Sequence, residues 1–200
     1  MMSKKAVDVV LLPDDEAMDS IIELNGRLVS KFGGGIVLGR QTSLPHISLA
    51  MGCIDDGDIA AVGEILRKIA DEDFPRELRI TGVKVNESSN GEKISSLEIE
   101  KTENLRHLHE VITERIGIYF TYDVTDDMIY PSGRVADSSL RWIREYRTKS
   151  SFENFWPHIT LGFGEIDDME FAGTLKVSKL AMCHLGNRCT CRKILTEAEI

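Results

Sequence analysis

Apolar residues recur along this chain with two periods, one of strands and one of helices, and the two alternate. The nearly continuous aliphatic run at 4–12 predicts a strand ending at Pro13. Asp14 or Asp15 can cap the helix that follows. Met18, Ile21, Ile22, Leu28, Val29 and Phe32 keep its period until Gly33-Gly34-Gly35 stops it. A short strand is expected at 36–38 and a longer one at 44–53. Asp55 is then placed to cap a helix with the stripe Ile59, Val62, Leu66 and Ile69. Residues 78–85 and 94–100 predict two strands joined by a loop carrying Asn90-Gly91, a strong turn signal. Leu105, Leu108, Ile112 and Ile116 mark a third helix. The stretch 117–150 is the least regular: an extended excursion at 119–130, a break at Pro131-Ser132-Gly133 and a helix from Asp137 to about Lys149. Another strand runs from Phe155. After an acidic segment at 165–170, residues 174–185 and 188–195 predict a hairpin over Gly186-Asn187. Helices alternating with hairpin-connected strands favour an α+β fold with antiparallel sheets over a doubly wound parallel sheet.

Two of these strands carry the same words. Leu44-Pro45-His46-Ile47-Ser48-Leu49 and Trp156-Pro157-His158-Ile159-Thr160-Leu161 both read Pro-His-Ile-(Ser/Thr)-Leu. Side chains alternate faces along a strand, so His46 and Ser48 share one face, as do His158 and Thr160, with the aliphatic residues on the other. Pro45 and Pro157 suit strand starts, where no ladder donor is lost. Two imidazoles facing each other suit general acid–base catalysis: near pH ~6.5 one can be neutral and the other charged. A hydroxyl two residues on can hydrogen-bond a phosphoryl oxygen. Such a pair brackets a phosphodiester without a metal or other cofactor.

The paired His-x-(Ser/Thr) pattern in apolar strands resembles the 2H phosphoesterase superfamily, which includes RNA 2′,3′-cyclic phosphodiesterases and 2′-5′ RNA ligase-like proteins. The resemblance extends over most of the chain. It implies two lobes related by a pseudo-twofold, each with an antiparallel sheet and flanking helices, around a central cleft. Residues 1–200 would then be one bilobed domain, and 117–150 an insertion. Carried across by position, His46 and His158 are the expected catalytic pair, and Ser48 and Thr160 the phosphate-binding hydroxyls.

Composition narrows the partners. The formal net charge of −9 argues against a broad electrostatic grip on nucleic acid, but leaves room for a small basic pocket that takes one nucleotide or RNA end. No apolar run reaches the ~18 residues of a membrane span, and no secretory leader is recognisable, so a cytoplasmic monomer without membrane contact is expected. Residues 130–150 set five basic side chains against two acidic ones. Within them Arg144, Arg147 and Tyr146 are candidate substrate contacts or parts of a solvated helix face. Trp156, sharing strand parity with His158, either stacks on a base or packs at the strand entrance. His107 and His109 call for no ligand or catalytic role and read as surface or structural.

Cys183, Cys189, Cys191 and His184 invite a zinc reading. Over a two-residue Gly186-Asn187 turn, however, His184 would pair with Cys189 and Met182 with Cys191, with Cys183 pointing away. That geometry does not make a tetrahedral site. Reduced, partly buried thiols and no metal are expected. The functional expectation is a metal-independent phosphoesterase for 2′,3′-cyclic or 2′-5′-linked ribose phosphodiesters. The alternatives are a non-catalytic nucleotide or RNA-end binding module on the same fold, and a protein-interaction domain.

Overall fold

The computed structural model of the chain describes residues 3–72, 74–87, 91–131, 133–166 and 173–200. The Asn90-Gly91 turn, the Ser132 break and the acidic segment from residue 167 onward lie wholly or partly outside the described residues.

Strand β1 (Lys4–Pro13) leads into helix α1 (Asp15–Phe32), whose first turn is capped by Asp14 accepting from the Ala17 N–H at 2.9 Å. Gly33 ends it with φ of +85°, a conformation that favours glycine. Strand β2 (Ile47–Asp55) begins just after His46. Helix α2 (Ile59–Ala70), strands β3 (Glu77–Glu87) and β4 (Lys93–Ile99), and helix α3 (Glu103–Arg115) follow. Thr102 caps α3 through the Leu105 N–H. After short 3-10 turns come helix α4 (Asp137–Lys149) and strands β5 (His158–Phe163), β6 (Gly173–Leu185) and β7 (Cys191–Glu199). The expected strand at 36–38 is reduced to a single bridge between Leu38 and Ser43.

The sheet runs β2-β1-β6-β3-β4-β5, with β7 also on β6, and every strand pairing is antiparallel. The two sheets expected from the resemblance meet in one strand. β6 pairs with β3 through Gly173 to Lys176, and with β1 and β7 through its later residues. Bulges in β2, β3 and β5 re-aim the strands. The outcome is that β2 and β5, at opposite ends of the order, touch one another.

Alternation along β1 divides the core. Val7, Val9 and Leu11 enter one apolar cluster with Ile21, Leu24 and Leu28 of α1, Leu66 of α2 and Leu108 of α3. Ala6, Val10 and Leu12 enter a second with Ile143 and Tyr146 of α4. Three helices therefore cover one face of the sheet, and α4 covers part of the other.

Asn25 ties this frame to the second motif. Buried in α1, it donates through Nδ2 to the carbonyls of Ile36 (2.9 Å) and Leu161 (2.7 Å), and its Oδ1 accepts from the Leu38 N–H (2.8 Å). Gly162, with φ of +139°, lets the strand pass so close that a Cβ there would stand 3.0 Å from Asn25 Nδ2. Asn25→Ala leaves three backbone groups without partners and is expected to cost about 2–3 kcal/mol in urea denaturation. A loss under ~0.5 kcal/mol would contradict this role.

Candidate active site

Both motifs put their polar pair on the sheet face away from α1–α3. Ile47 and Leu49 of the first, and Ile159 and Leu161 of the second, are wholly buried in the cluster under those helices, while His46, Ser48, His158 and Thr160 stay partly accessible. The alternation expected at both sites holds for His46 to Leu49 and His158 to Leu161; beyond the bulge at Leu49, Ala50 joins the cluster of Ile47 and Leu49 and Met51 turns to the one under α4. The meeting of β2 with β5 brings the two histidines within electrostatic reach of each other.

The imidazoles are held alike. His46 Nδ1 lies 2.7 Å from the Leu44 carbonyl oxygen and His158 Nδ1 lies 2.8 Å from that of Trp156. A carbonyl only accepts, so in each ring Nδ1 carries the proton and Nε2 keeps its lone pair. Burial pushes His46 down to about 4, against the Leu44 carbonyl, with a smaller downward push from charge on His158. Burial lowers His158 as well, opposed by the Trp156 carbonyl and by the negative charge of Glu98, while Lys84 adds a smaller downward push. Both rings are therefore biased toward neutrality, and for His158 the negative charge of Glu98 opposes that bias.

Each histidine has a distinct neighbour. The Trp156 ring stacks on His158 with centroids 4.1 Å apart. Its Nε1–H donates to Glu98 Oε1 at 3.2 Å, and Lys84 Nζ stands 4.6 Å from the ring centre. On the other side, Ser48 Oγ donates to Asp8 Oδ2 at 2.6 Å, and the same oxygen lies 3.8 Å from His46 Nε2. Asp8 is wholly buried, and burial holds its carboxyl well above the ordinary range. When protonated, that carboxyl can return the hydrogen bond and free the Ser48 O–H for a ligand. Asp8, Glu98 and Lys84 escape a motif-based reading. Asp8 does leave a signal, as a lone acid in an aliphatic run, a costly residue to bury.

The other candidates lie on α4. Tyr146 is buried on the core side of α4, with its hydroxyl pushed well above the ordinary value by burial and then by the Asp8 charge. Arg144 donates to the Val124 carbonyl at 3.0 Å. Arg147 lies against Gly117, where a Cβ would come within 2.7 Å of its Nη1. Arg144 thus ties Val124 to α4. His109 is buried and bonded at both ring nitrogens.

The cysteine hairpin differs from the expected one. Asn187, Arg188 and Cys189 form a 3-10 turn, with Arg188 and Cys189 at φ of +63° and +54°. The Gly186 N–H closes on the Thr190 carbonyl, so Leu185 pairs with Cys191. The longer turn shifts the register. Cys183 and Cys191 are both buried in the cluster on the α4 face, while His184 Nε2 donates to the Met128 carbonyl. Cys183 therefore points toward the cluster rather than away from it.

No family model and no curated protein matches the sequence. Solved structures do. TT0787 of Thermus thermophilus aligns over 97% of both chains with TM-score 0.56 at 15% identity. Escherichia coli LigT complexed with 3′-AMP aligns over 99% of both, with TM-score 0.51 and 14% identity. A structure described as a phosphoesterase aligns over 99% of both, with TM-score 0.54 and 11% identity. The fold is that of the 2H phosphoesterases. In this fold the two motifs of the present chain occupy the contacting strands β2 and β5, and among the described residues no helix is long and apolar enough to cross a membrane.

Proposed function

We propose that the chain is a metal-independent 2H-type phosphoesterase that hydrolyses, or reversibly ligates, a 2′,3′-cyclic or 2′-5′-linked ribose phosphodiester, on one bilobed domain to which residues 117–150 are an addition. The observation that carries this reading is the matched pair of imidazoles, each with Nδ1–H on the carbonyl two residues back and a hydroxyl two residues ahead. The solved complexes of LigT with 3′-AMP and with NADP+ support a nucleotide-like ligand on this fold.

In hydrolysis, His46 Nε2 takes a proton from water as its oxygen attacks phosphorus. His158, charged, protonates the departing ribose oxygen as the P–O bond breaks. Ser48 and Thr160 hydrogen-bond the non-bridging oxygens. The assignment follows from electrostatics: His46 is pushed down to about 4 and is neutral at working pH, whereas Glu98 favours charge on His158. Ligation runs the same steps with the roles exchanged.

Turnover of the four nucleoside 2′,3′-cyclic monophosphates and of a 2′-5′-linked dinucleotide, with excess chelator, tests the reading. Metal-free product formation is expected, and the position of the product phosphate shows which ribose oxygen leaves. Binding of a 2′-phosphorylated end without turnover of any of these would favour a binding module, and no binding at all a protein-interaction domain.

The pH dependence of kcat/KM tests the roles. The base limb rises as pH climbs through about 4, where His46 becomes neutral. The acid limb falls as His158 loses its proton, below the ordinary histidine value. The bell should therefore peak on the acid side of pH ~6.5, and Glu98→Gln should move its alkaline limb to lower pH. An optimum above pH ~8 would contradict the assignment.

A further inference from the structure

Asp8 has no direct role in proton transfer between two histidines, yet it is the costliest group on the site's face. Its carboxyl is wholly buried, and among the described residues its Oδ1 has no hydrogen-bond partner. A buried polar atom left idle is a penalty that a fold usually avoids. Asp8 stands directly opposite Met51 of β2 and Cys183 of β6, with the His46 imidazole and the Cys191 thiol beside it. One ligand atom each from Asp8, His46 and Cys191 lies within 4.8 Å of the other two.

Three separate segments supply these donors, and they are braced. The Leu44 N–H donates to the Cys191 carbonyl at 2.8 Å, locking the chain before His46 to β7. The Leu44 carbonyl accepts the His46 Nδ1–H, which fixes the tautomer and leaves the Nε2 lone pair toward Asp8. An imidazole oriented through its other nitrogen is the usual state of a histidine ligand. The His46 side chain is 14% exposed, so an ion can reach the trio from the open side.

The donor set selects the ion. One nitrogen, one oxygen and one sulfur suit zinc, whereas calcium and magnesium demand oxygen. With sulfur bound as thiolate and Asp8 as carboxylate, their protons passing to water, the two negative charges cancel the dication in a buried place. Three protein ligands leave a fourth position for water or a phosphoryl oxygen.

The geometry points to a zinc-binding site of Asp8, His46 and Cys191 whose occupation switches the two-histidine chemistry off, because the ion takes the lone pair that His46 needs as a base. The inhibition half rests on the function proposed above; the binding half does not.

The test is a titration of the metal-free protein with cobalt(II), then with zinc. One cobalt per chain is expected, with intense tetrahedral visible bands and a thiolate-to-cobalt charge-transfer band, both removed by stoichiometric zinc. The charge-transfer band should vanish in Cys191→Ser and Cys191→Ala and persist in Cys183→Ser, and Asp8→Asn should weaken binding at least ~10-fold. Circular dichroism confirms that each variant is folded. No charge-transfer band in wild type, or one that survives loss of Cys191, overturns the site. In a second arm zinc should suppress cyclic-nucleotide turnover, with at least ~10-fold more zinc needed in Cys191→Ser. Because binding is read without substrate, an inactive wild type leaves the metal result intact, and absent binding leaves the turnover result intact.

Discussion

His158→Ala and His46→Ala are each expected to lower kcat on a 2′,3′-cyclic nucleotide by about 10²–10⁴, the range for loss of a general acid or base. The loss should fall on kcat more than on KM. In the proposed mechanism the reacting atom in each ring is Nε2, because Nδ1–H is spent on the carbonyls of Leu44 and Trp156. Ground-state binding then rests chiefly on Ser48 and Thr160, which both variants retain. The two losses should not multiply in the double variant, since groups that act in one proton relay fail together. Single-turnover rates of the three variants beside wild type provide the check. Full activity in His158→Ala would sink the two-histidine mechanism, and a pure rise in KM would recast the histidines as binding groups.

Much of this geometry is legible in the residues themselves, and what is not has a common cause. The alternation at 46–49 and 158–161 is a local property with a period of two, legible in the residues; it ends where bulges at Leu49 and Leu161 reset the faces, as Ala50 and Met51 show. The helices announce themselves through their stripes, and the α4 bounds, Asp137 to Lys149, are visible in the sequence. Long-range matters are hidden. That Asp8 meets Ser48 across a strand pair, or that β2 touches β5 at the two ends of the sheet order, depends on bulges and pairings no local window contains. The cysteine register fails for a narrower reason. Gly186-Asn187 looks like a two-residue turn, but Arg188 and Cys189 adopt the left-handed conformation that side chains of their type rarely take. Three added turn residues put Leu185 rather than Met182 opposite Cys191, and so carry Cys183 to the side of Cys191. The arginines of α4 look like a substrate-attracting patch by charge alone. Arg144 also bonds the Val124 carbonyl, a partner that composition does not reveal.

His109 is expected to be the most sensitive structural histidine. It lies on the buried stripe of α3, between Leu108 and Ile112, and spans both motifs. Its Nδ1–H donates to the Leu49 carbonyl of β2 at 2.6 Å, and its Nε2 accepts from the Phe152 N–H at 2.7 Å. Its ring stacks on Phe155 with centroids 4.1 Å apart and planes 3° from parallel. His109→Ala removes a buried ring and leaves two backbone groups unpartnered, a loss of about 3–5 kcal/mol. His109→Phe keeps the ring and stacking and should cost about 1–3 kcal/mol, the share of the hydrogen bonds. Urea denaturation with an unchanged slope reads both. The pH dependence has a definite sign. Burial lowers His109, against a rise from the Leu49 carbonyl, so the folded state prefers the neutral ring that accepts from Phe152. Its contribution is complete above the unfolded value of ~6.5 and is lost as pH falls from there toward the folded value. His46, His158 and His184 shift the same way, while the raised Asp8 carboxyl acts in the opposite sense, so the histidine share of stability should fall below neutrality, and His109→Phe should flatten that fall without abolishing it. A His109→Ala protein within ~1 kcal/mol of wild type would mean that the contact between β2 and the chain before β5 is held elsewhere. Otherwise the variant should lose turnover along with stability, because the same ring that holds the helix to the sheet sets the spacing of the two motif strands.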